Sequence, residues 1–249
     1  MAAYYNEIDP FSAQWLRNLI AAGHIAPGEV DERSIEDVRP DDLREFTQCH
    51  FFAGIGVWSY ALRQAGWPDD RPVWTGSCPC QPFSQAGEGV GFADERHLWP
   101  SFEWLILQRR PTVIFGEQVA SKDSDPWVDL VHADLEAMGY AFGAVAFPSA
   151  GVGAPHIRDR LFWVADADDE RLEGWEISVG QRTDKLTAWS DCVVIRGRDG
   201  SRRPVEPGTL PLVDGSPGRV GRIRAYGNAI CAPAAKEFIA AYIDAPVSE

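Results

Sequence analysis

The chain has no run of eighteen apolar residues, and its N-terminus has neither the basic nor the apolar region of a secretion signal. The first absence argues against a membrane-spanning helix. Together the two set the expectation of a cytoplasmic protein without membrane contact. Cysteine is scarce and odd in number: of five, only Cys78 and Cys80 lie close together, which argues against a disulfide framework and fits a reducing compartment. The pair does not read as a zinc site, because tetrahedral zinc takes four ligands and the other Cys and His are scattered without paired spacing. No metal is expected. Internal repeats and low-complexity tracts are also missing. Core material is plentiful: 45% of the 249 residues are hydrophobic and ten are Trp, which suits one catalytic domain with one large core and a small appendage.

Basic charge is short as well. A net charge of −14 opposes binding to a phosphate backbone, since Lys and Arg normally supply much of that affinity. The deficit is uneven: residues 1–179 carry −16 and residues 225–249 carry −2, whereas residues 180–224 carry +4. The basic stretch holds Arg196, Arg198, Arg202, Arg203, Arg219, Arg222 and Arg224. It reads either as a nucleic-acid contact or as a solvated loop region with scattered arginines.

The pattern of elements predicts an α/β fold, a doubly wound sheet of the Rossmann type. Ala2 to Ile8 reads as a strand, and Asp9-Pro10 starts a helix whose buried stripe is Trp15, Leu16, Leu19 and Ile20, with Gly23 as its stop. A short strand near Glu29 to Asp31 follows. Thr47 to Ala53 is a fuller strand, succeeded by glycines and a helix from Trp58 to Ala65. Val73 to Thr75, Thr112 to Phe115, Tyr140 to Phe147 and Arg160 to Ala165 read as further strands. Leu98 to Gln108, Pro126 to Met138 and residues 230–243 read as helices. From Asp166 the pattern loosens into an acidic loop, a hairpin turning at Arg198-Asp199-Gly200, and a Pro/Gly-rich stretch.

The most informative segment is Gly76-Ser77-Cys78-Pro79-Cys80-Gln81-Pro82-Phe83-Ser84, which places Cys80 where an apolar strand runs out. Strand ends in open α/β sheets are where ligands bind. A cysteine alone is most often a small buried apolar residue. Here Pro79-Cys80-Gln81-Pro82-Phe83-Ser84 resembles the nucleophile loop of the DNA cytosine-5 methyltransferases. Phe52-Ala53-Gly54-Ile55-Gly56 is similar to that family's F-x-G-x-G cofactor loop, Gly116-Glu117-Gln118-Val119 to its E-N-V, and His156-Ile157-Arg158-Asp159-Arg160 to its Q-x-R-x-R. Tyr226-Gly227-Asn228-Ala229-Ile230 is similar to its closing G-N-[AS]-V. The matches span about two thirds of the chain.

The resemblance implies S-adenosylmethionine as donor and double-stranded DNA as partner. Cys80 would add to C6 of a flipped cytosine, Glu117 would act beside N3, and Arg160, supported by Arg158, beside O2. A glutamate that donates to N3 must hold a proton, which predicts a raised pKa. Phe52, Ala53, Gly54, Ile55, Gly56, Asn228 and Ala229 would line the donor pocket. The acidic ribose residue of the family follows the glycine loop, but here the best candidate, Glu7 with Ile8, precedes it, so the motif order reads as permuted. Asp31 is the candidate on the adenine side, with Asp37 fitting nearly as well. Ser84, Gln85, Arg196, Arg198, Arg202 and Arg203 are the expected DNA contacts, and the glycine-bearing loop from Phe83 to His97 would close over the base.

Each residue also has a plainer reading. Glu117 would cap a helix, Arg158 and Arg160 would alternate on one strand face and pair with nearby carboxylates, and Glu7 would sit on the surface. Val57 stands for a second glycine and Gln118 for the asparagine after the glutamate. On this reading residues 1–165, completed by 222–249, form the catalytic unit, and 166–221 a small target-recognition domain. The protein would act as a monomer, a stand-alone modification enzyme of a bacterium or its virus. The alternatives are a catalytically silent DNA-binding relative and a folate-dependent enzyme of the thymidylate synthase type, which also uses a cysteine at C6.

Overall fold

The computed structural model describes residues 2–79, 98–121, 124–154, 158–168, 193–196, 202–205 and 227–245. Strand β1 (Ala2–Asn6) leads into helix α1 (Pro10–Ala21), whose entry follows from local chemistry: the Asp9 carboxylate accepts the Ser12 amide at 2.9 Å, and Pro10 takes the first helical position, where no amide is needed. After β2 (Gly28–Asp31) and two short 3-10 turns come β3 (Phe46–Phe51), α2 (Val57–Gln64) and β4 (Val73–Gly76). Then follow α3 (Trp99–Arg109), β5 (Val113–Val119), α4 (Asp125–Ala137), β6 (Ala141–Pro148) and β7 (Asp159–Asp166). A separate antiparallel pair, β8 (Val193–Arg196) and β9 (Arg202–Val205), precedes the last helix, α5 (Ala232–Ile243). No helix among the described residues is long and apolar enough to cross a membrane.

Seven strands form one sheet in the order β2-β1-β3-β4-β5-β7-β6. The first five in this order are parallel, and β7 runs antiparallel to both β5 and β6. From β1 the chain winds outward to β2. It then returns to β3 on the other side of β1 and winds the opposite way to β4 and β5. The reversal lies between β1 and β3, and the carboxyl ends of strands at such a point leave the crevice where ligands of open sheets bind.

Alternation along the strands divides the apolar residues. Tyr4, Trp74 and Ile114 face α3 and α4, while Ala3 and Tyr5 face α1, and Val73, Val113 and Phe115 face α2 and α5. The expected single core is thus corrected to packing on both faces, as parallel strands covered by helices on each side require. The stripe on α1 is also narrower than its spacing predicts. Leu16 is buried, but Trp15, Leu19 and Ile20 are half-buried and Ser12 and Ala13 lie inside, because this helix covers only the β1–β2 margin. Helix α5 packs against α2, and Tyr242 donates to the Asp166 carboxylate at the end of β7.

Two of the sheet glycines are needed for close approach to an aromatic ring. A Cβ on Gly76 would lie 2.4 Å from Phe102, and one on Gly116 would lie 1.9 Å from Trp163. Neither ring is at a free end, so the strand would have to yield. Gly116→Ala is expected to cost about 3 kcal/mol, the upper end of typical overpacking penalties. Chemical denaturation would show this as a lower midpoint, and an unchanged midpoint would refute the close packing of Trp163 on β5.

Candidate active site

Strand β3 ends at Phe51, two residues earlier than its apolar run suggests, because the backbone turns left-handed at Phe52 (φ 52°), Gly54 (φ 55°) and Gly56 (φ 79°). Phe52 holds this conformation with its ring edge-on to Phe102 at 6.1 Å. Among the described residues a Cβ on Gly54 would meet nothing within 4 Å, so this glycine answers a backbone demand and borders open space. One on Gly56 would press on Leu16 at 3.0 Å. The Ala53 amide donates to the Asn6 carbonyl at 3.0 Å. Alongside, the Gly54 amide donates to Glu7 Oε2 at 2.7 Å, while Glu7 Oε1 accepts the Asp9 amide at 2.8 Å. Residues 47 positions apart therefore meet at the crevice. Strand β1 stops at Asn6, short of the expected Ile8, which is 64% exposed beside Glu7.

Asp31, at the end of β2, already has protein partners. Its carboxylate accepts the Tyr4 hydroxyl at 2.7 Å and the Arg33 guanidinium at 2.7 Å. Burial acts to raise its pKa, but the bonds from Arg33 and Tyr4 outweigh burial and hold it below the ordinary value. Asp37 lies exposed in a 3-10 turn.

A second cluster forms at the ends of β4, β5 and β7. Glu117 is only 7% exposed, and its Oε1 accepts Arg160 Nε at 2.7 Å. Burial raises the Glu117 pKa; Arg160, the Ser77 hydroxyl and Arg158 oppose it, and the net direction is upward. Ser77 Oγ also accepts the Trp58 indole N–H at 3.0 Å. Gln118 Nε2 donates to the Cys78 carbonyl at 3.3 Å, and its Oε1 accepts the Val119 amide. The longer amide in place of asparagine thus ties the end of β5 to the loop that leads to Cys80.

The two arginines do not share a strand face. Arg158 stands before β7 with φ 35°, and its Nη2 donates to the carbonyls of Gly227 at 3.0 Å and Ala229 at 2.5 Å. Burial and the neighbouring Arg160 push its pKa down. Arg160 serves Glu117, whereas Arg158 holds the segment containing Asn228 and Ala229. Arg196 is exposed on β8, opposite Arg202 of β9 in register, with Ile195 opposite Arg203. Cys80, Ser84, Gln85, the loop to His97, His156, Arg198 and the turn at residues 198–200 lie outside the described residues, as do Arg219, Arg222 and Arg224.

Residues 67–188 match the C-5 cytosine-specific DNA methylases. Over this stretch the chain is similar to that family. It is 30% identical to the Type II methyltransferase M.NlaX of Neisseria lactamica over 129 residues, 49% of this chain and 41% of that one. With M.HaeII of Haemophilus aegyptius it shares 24% identity over 167 residues, 66% of this chain and 45% of the relative. The chain spans less than half the length of these curated relatives. In fold it is similar to the methyltransferase EhMeth of Entamoeba histolytica, with a TM-score of 0.50, 14% identity, and coverage of 72% of this chain and 48% of that one.

Ser77, Trp58 and Gln118 had no assigned role in the sequence analysis, although Ser77 lies three residues before Cys80 and Gln118 inside the segment similar to E-N-V. Their contacts join residues 19 and 40 positions apart, which no local spacing signals. Removing the cation in Arg160→Met should raise the Glu117 pKa by about one unit or more. Carbon-13 titration of the Glu117 carboxyl measures it, and an unmoved titration would mean that Arg160 does not hold this group.

Proposed function

We propose that this protein transfers a methyl group from S-adenosylmethionine to C5 of cytosine in double-stranded DNA, through a transient Cys80 adduct at C6 of a base turned out of the helix. The observation that carries the reading is the buried Glu117 carboxyl, with raised pKa and paired to Arg160, inside a C-5 cytosine-specific DNA methylase match. Cytosine C5 is a poor nucleophile until ring aromaticity is broken, which a thiolate at C6 accomplishes. Negative charge then develops at N3 and O2. A protonated Glu117 supplies a hydrogen bond or proton at N3, and Arg160 a cation near O2. The stacked duplex shields both ring carbons, so the target base has to be flipped.

The crevice between β1 and β3 fits the donor. Glu7 receives the Asp9 and Gly54 amides at the crevice, and its carboxylate is the acceptor assigned to the ribose hydroxyls. Gly54 borders open space, and the exposed Ile8 offers an apolar surface to the adenine. Residues 52–56, Asn228 and Ala229 complete the pocket, with Asp31 on the adenine side. When bound, the donor supplies an electrophilic methyl on a sulfonium. This assignment reads the chain as permuted, since the strand with the ribose carboxylate precedes the glycine-loop strand. Residues 166–221 are assigned to DNA recognition, supported by the basic balance around the β8–β9 pair, with Arg196, Arg198, Arg202 and Arg203 as its contacts.

Cys80→Ser should abolish methyl transfer while leaving donor binding nearly intact, because the thiol acts on the base. DNA containing 5-fluorocytosine should trap the wild-type protein covalently, since fluorine cannot leave C5 as a proton does. Denaturing electrophoresis reports the adduct, and one that persists in Cys80→Ser would move the nucleophile elsewhere. A separate test concerns the permuted pocket. Loss of hydrogen bonds to a charged acceptor costs about 1.5–3 kcal/mol, so Glu7→Ala should weaken donor binding by about tenfold or more in calorimetry. Unchanged affinity in a folded variant would remove Glu7 from the site.

A further inference from the structure

The hydroxyl between the glycine-loop helix and the buried carboxyl has no part in the mechanism so far. Strands β4 and β5 are parallel with Gly76 opposite Gly116, so the residues that follow, Ser77 and Glu117, are neighbours on the face covered by α2. From that helix Trp58, 4% exposed and stacked on Phe115 at 6.1 Å, donates its indole N–H to Ser77 Oγ. An indole nitrogen is only a donor. The serine oxygen therefore acts as acceptor toward Trp58, and its own hydrogen is left to point toward the carboxyl.

We propose that Ser77 is a positioning residue for the methylation reaction: anchored by Trp58, its hydroxyl orients Glu117 for contact with the base and ties that carboxyl to the helix following the donor loop. The proposal rests on the methyltransferase reading of the site. Among the described residues, the charged groups facing Glu117 are Arg160 from β7 and Arg158 from the segment before it, with Cys231 at the start of α5 beside Arg158. Both arginines favour the carboxylate form, as does Ser77; burial favours the acid. Ser77 differs from the arginines in being neutral and directional. It biases proton occupancy and angle without adding a charge that would compete with the base for Glu117.

The sign of its effect follows. A donor to a carboxylate stabilises the ionised form, so its loss raises the pKa. If protonated Glu117 is the productive form, Ser77→Ala should move the alkaline fall of single-turnover methyl transfer to higher pH by about one unit, with a lower plateau from lost orientation. Ser77→Thr, which keeps the hydroxyl, should restore the wild-type edge. Trp58→Phe, which keeps the ring and loses the N–H, should shift the edge in the same direction. Carbon-13 titration of the Glu117 carboxyl, assigned with Glu117→Gln, should show the same displacement without any turnover. A Ser77→Ala profile with its edge unmoved, or an unmoved carboxyl titration, would overturn the proposal. Absence of methyl transfer by the wild-type protein would instead overturn the functional reading, and the carboxyl titration would still decide the role of Ser77.

Discussion

The hydrogen bond from the Gly54 amide to the Glu7 carboxylate joins the N-terminal strand to the glycine loop, and the layout of the crevice depends on it. Three left-handed residues within five leave amides that regular structure does not satisfy. Glu7 satisfies one of them and, through its other oxygen, the Asp9 amide at the start of α1. One side chain thus fixes the end of β1, the entry to α1 and the turn after β3. Because the sheet reverses its winding direction between β1 and β3, this clamp sits where the helices diverge and a ligand has room.

The second determinant is desolvation. Glu117 lies on the crowded α2 face, where a lone carboxylate would be costly. Burial alone would keep it protonated, and a close cation alone would keep it ionised. Arg160 at 2.7 Å and the Ser77 hydroxyl set it between these limits, with burial prevailing. Such a balance suits a group that holds a proton and releases it as charge develops on a base. Arg158, two residues away, is diverted to backbone carbonyls at Gly227 and Ala229, so the C-terminal segment is bound to the site by a side chain of the same motif.

Much of the fold was legible because its causes are local. Asp9-Pro10 states a helix start, Gly66 and Gly139 end helices with φ 84° and 80°, and the period-two runs mark the strands. The ends of β1 and β3 were less legible. Apolar residues continue past both, but the amides of residues 53 and 54 are drawn to Asn6 and Glu7, which turns the chain early. The α1 stripe was overestimated for a related reason: spacing shows which residues share a helix face, not how much of that face the sheet covers.

By itself the sequence determined the α/β alternation, the segments similar to those of cytosine-5 methylases and the candidate residues, because each is encoded in spacing and side-chain chemistry along a few consecutive positions. Tertiary structure alone decided that Arg158 and Arg160 serve different partners, that Asp31 is bound by Arg33 and Tyr4, and that Trp58 reaches Ser77. These outcomes rest on strand register and on which helix covers which face. Register brings Gly76 level with Gly116 and Val119 level with Arg160. Only that alignment places a hydroxyl and a guanidinium around one buried carboxyl.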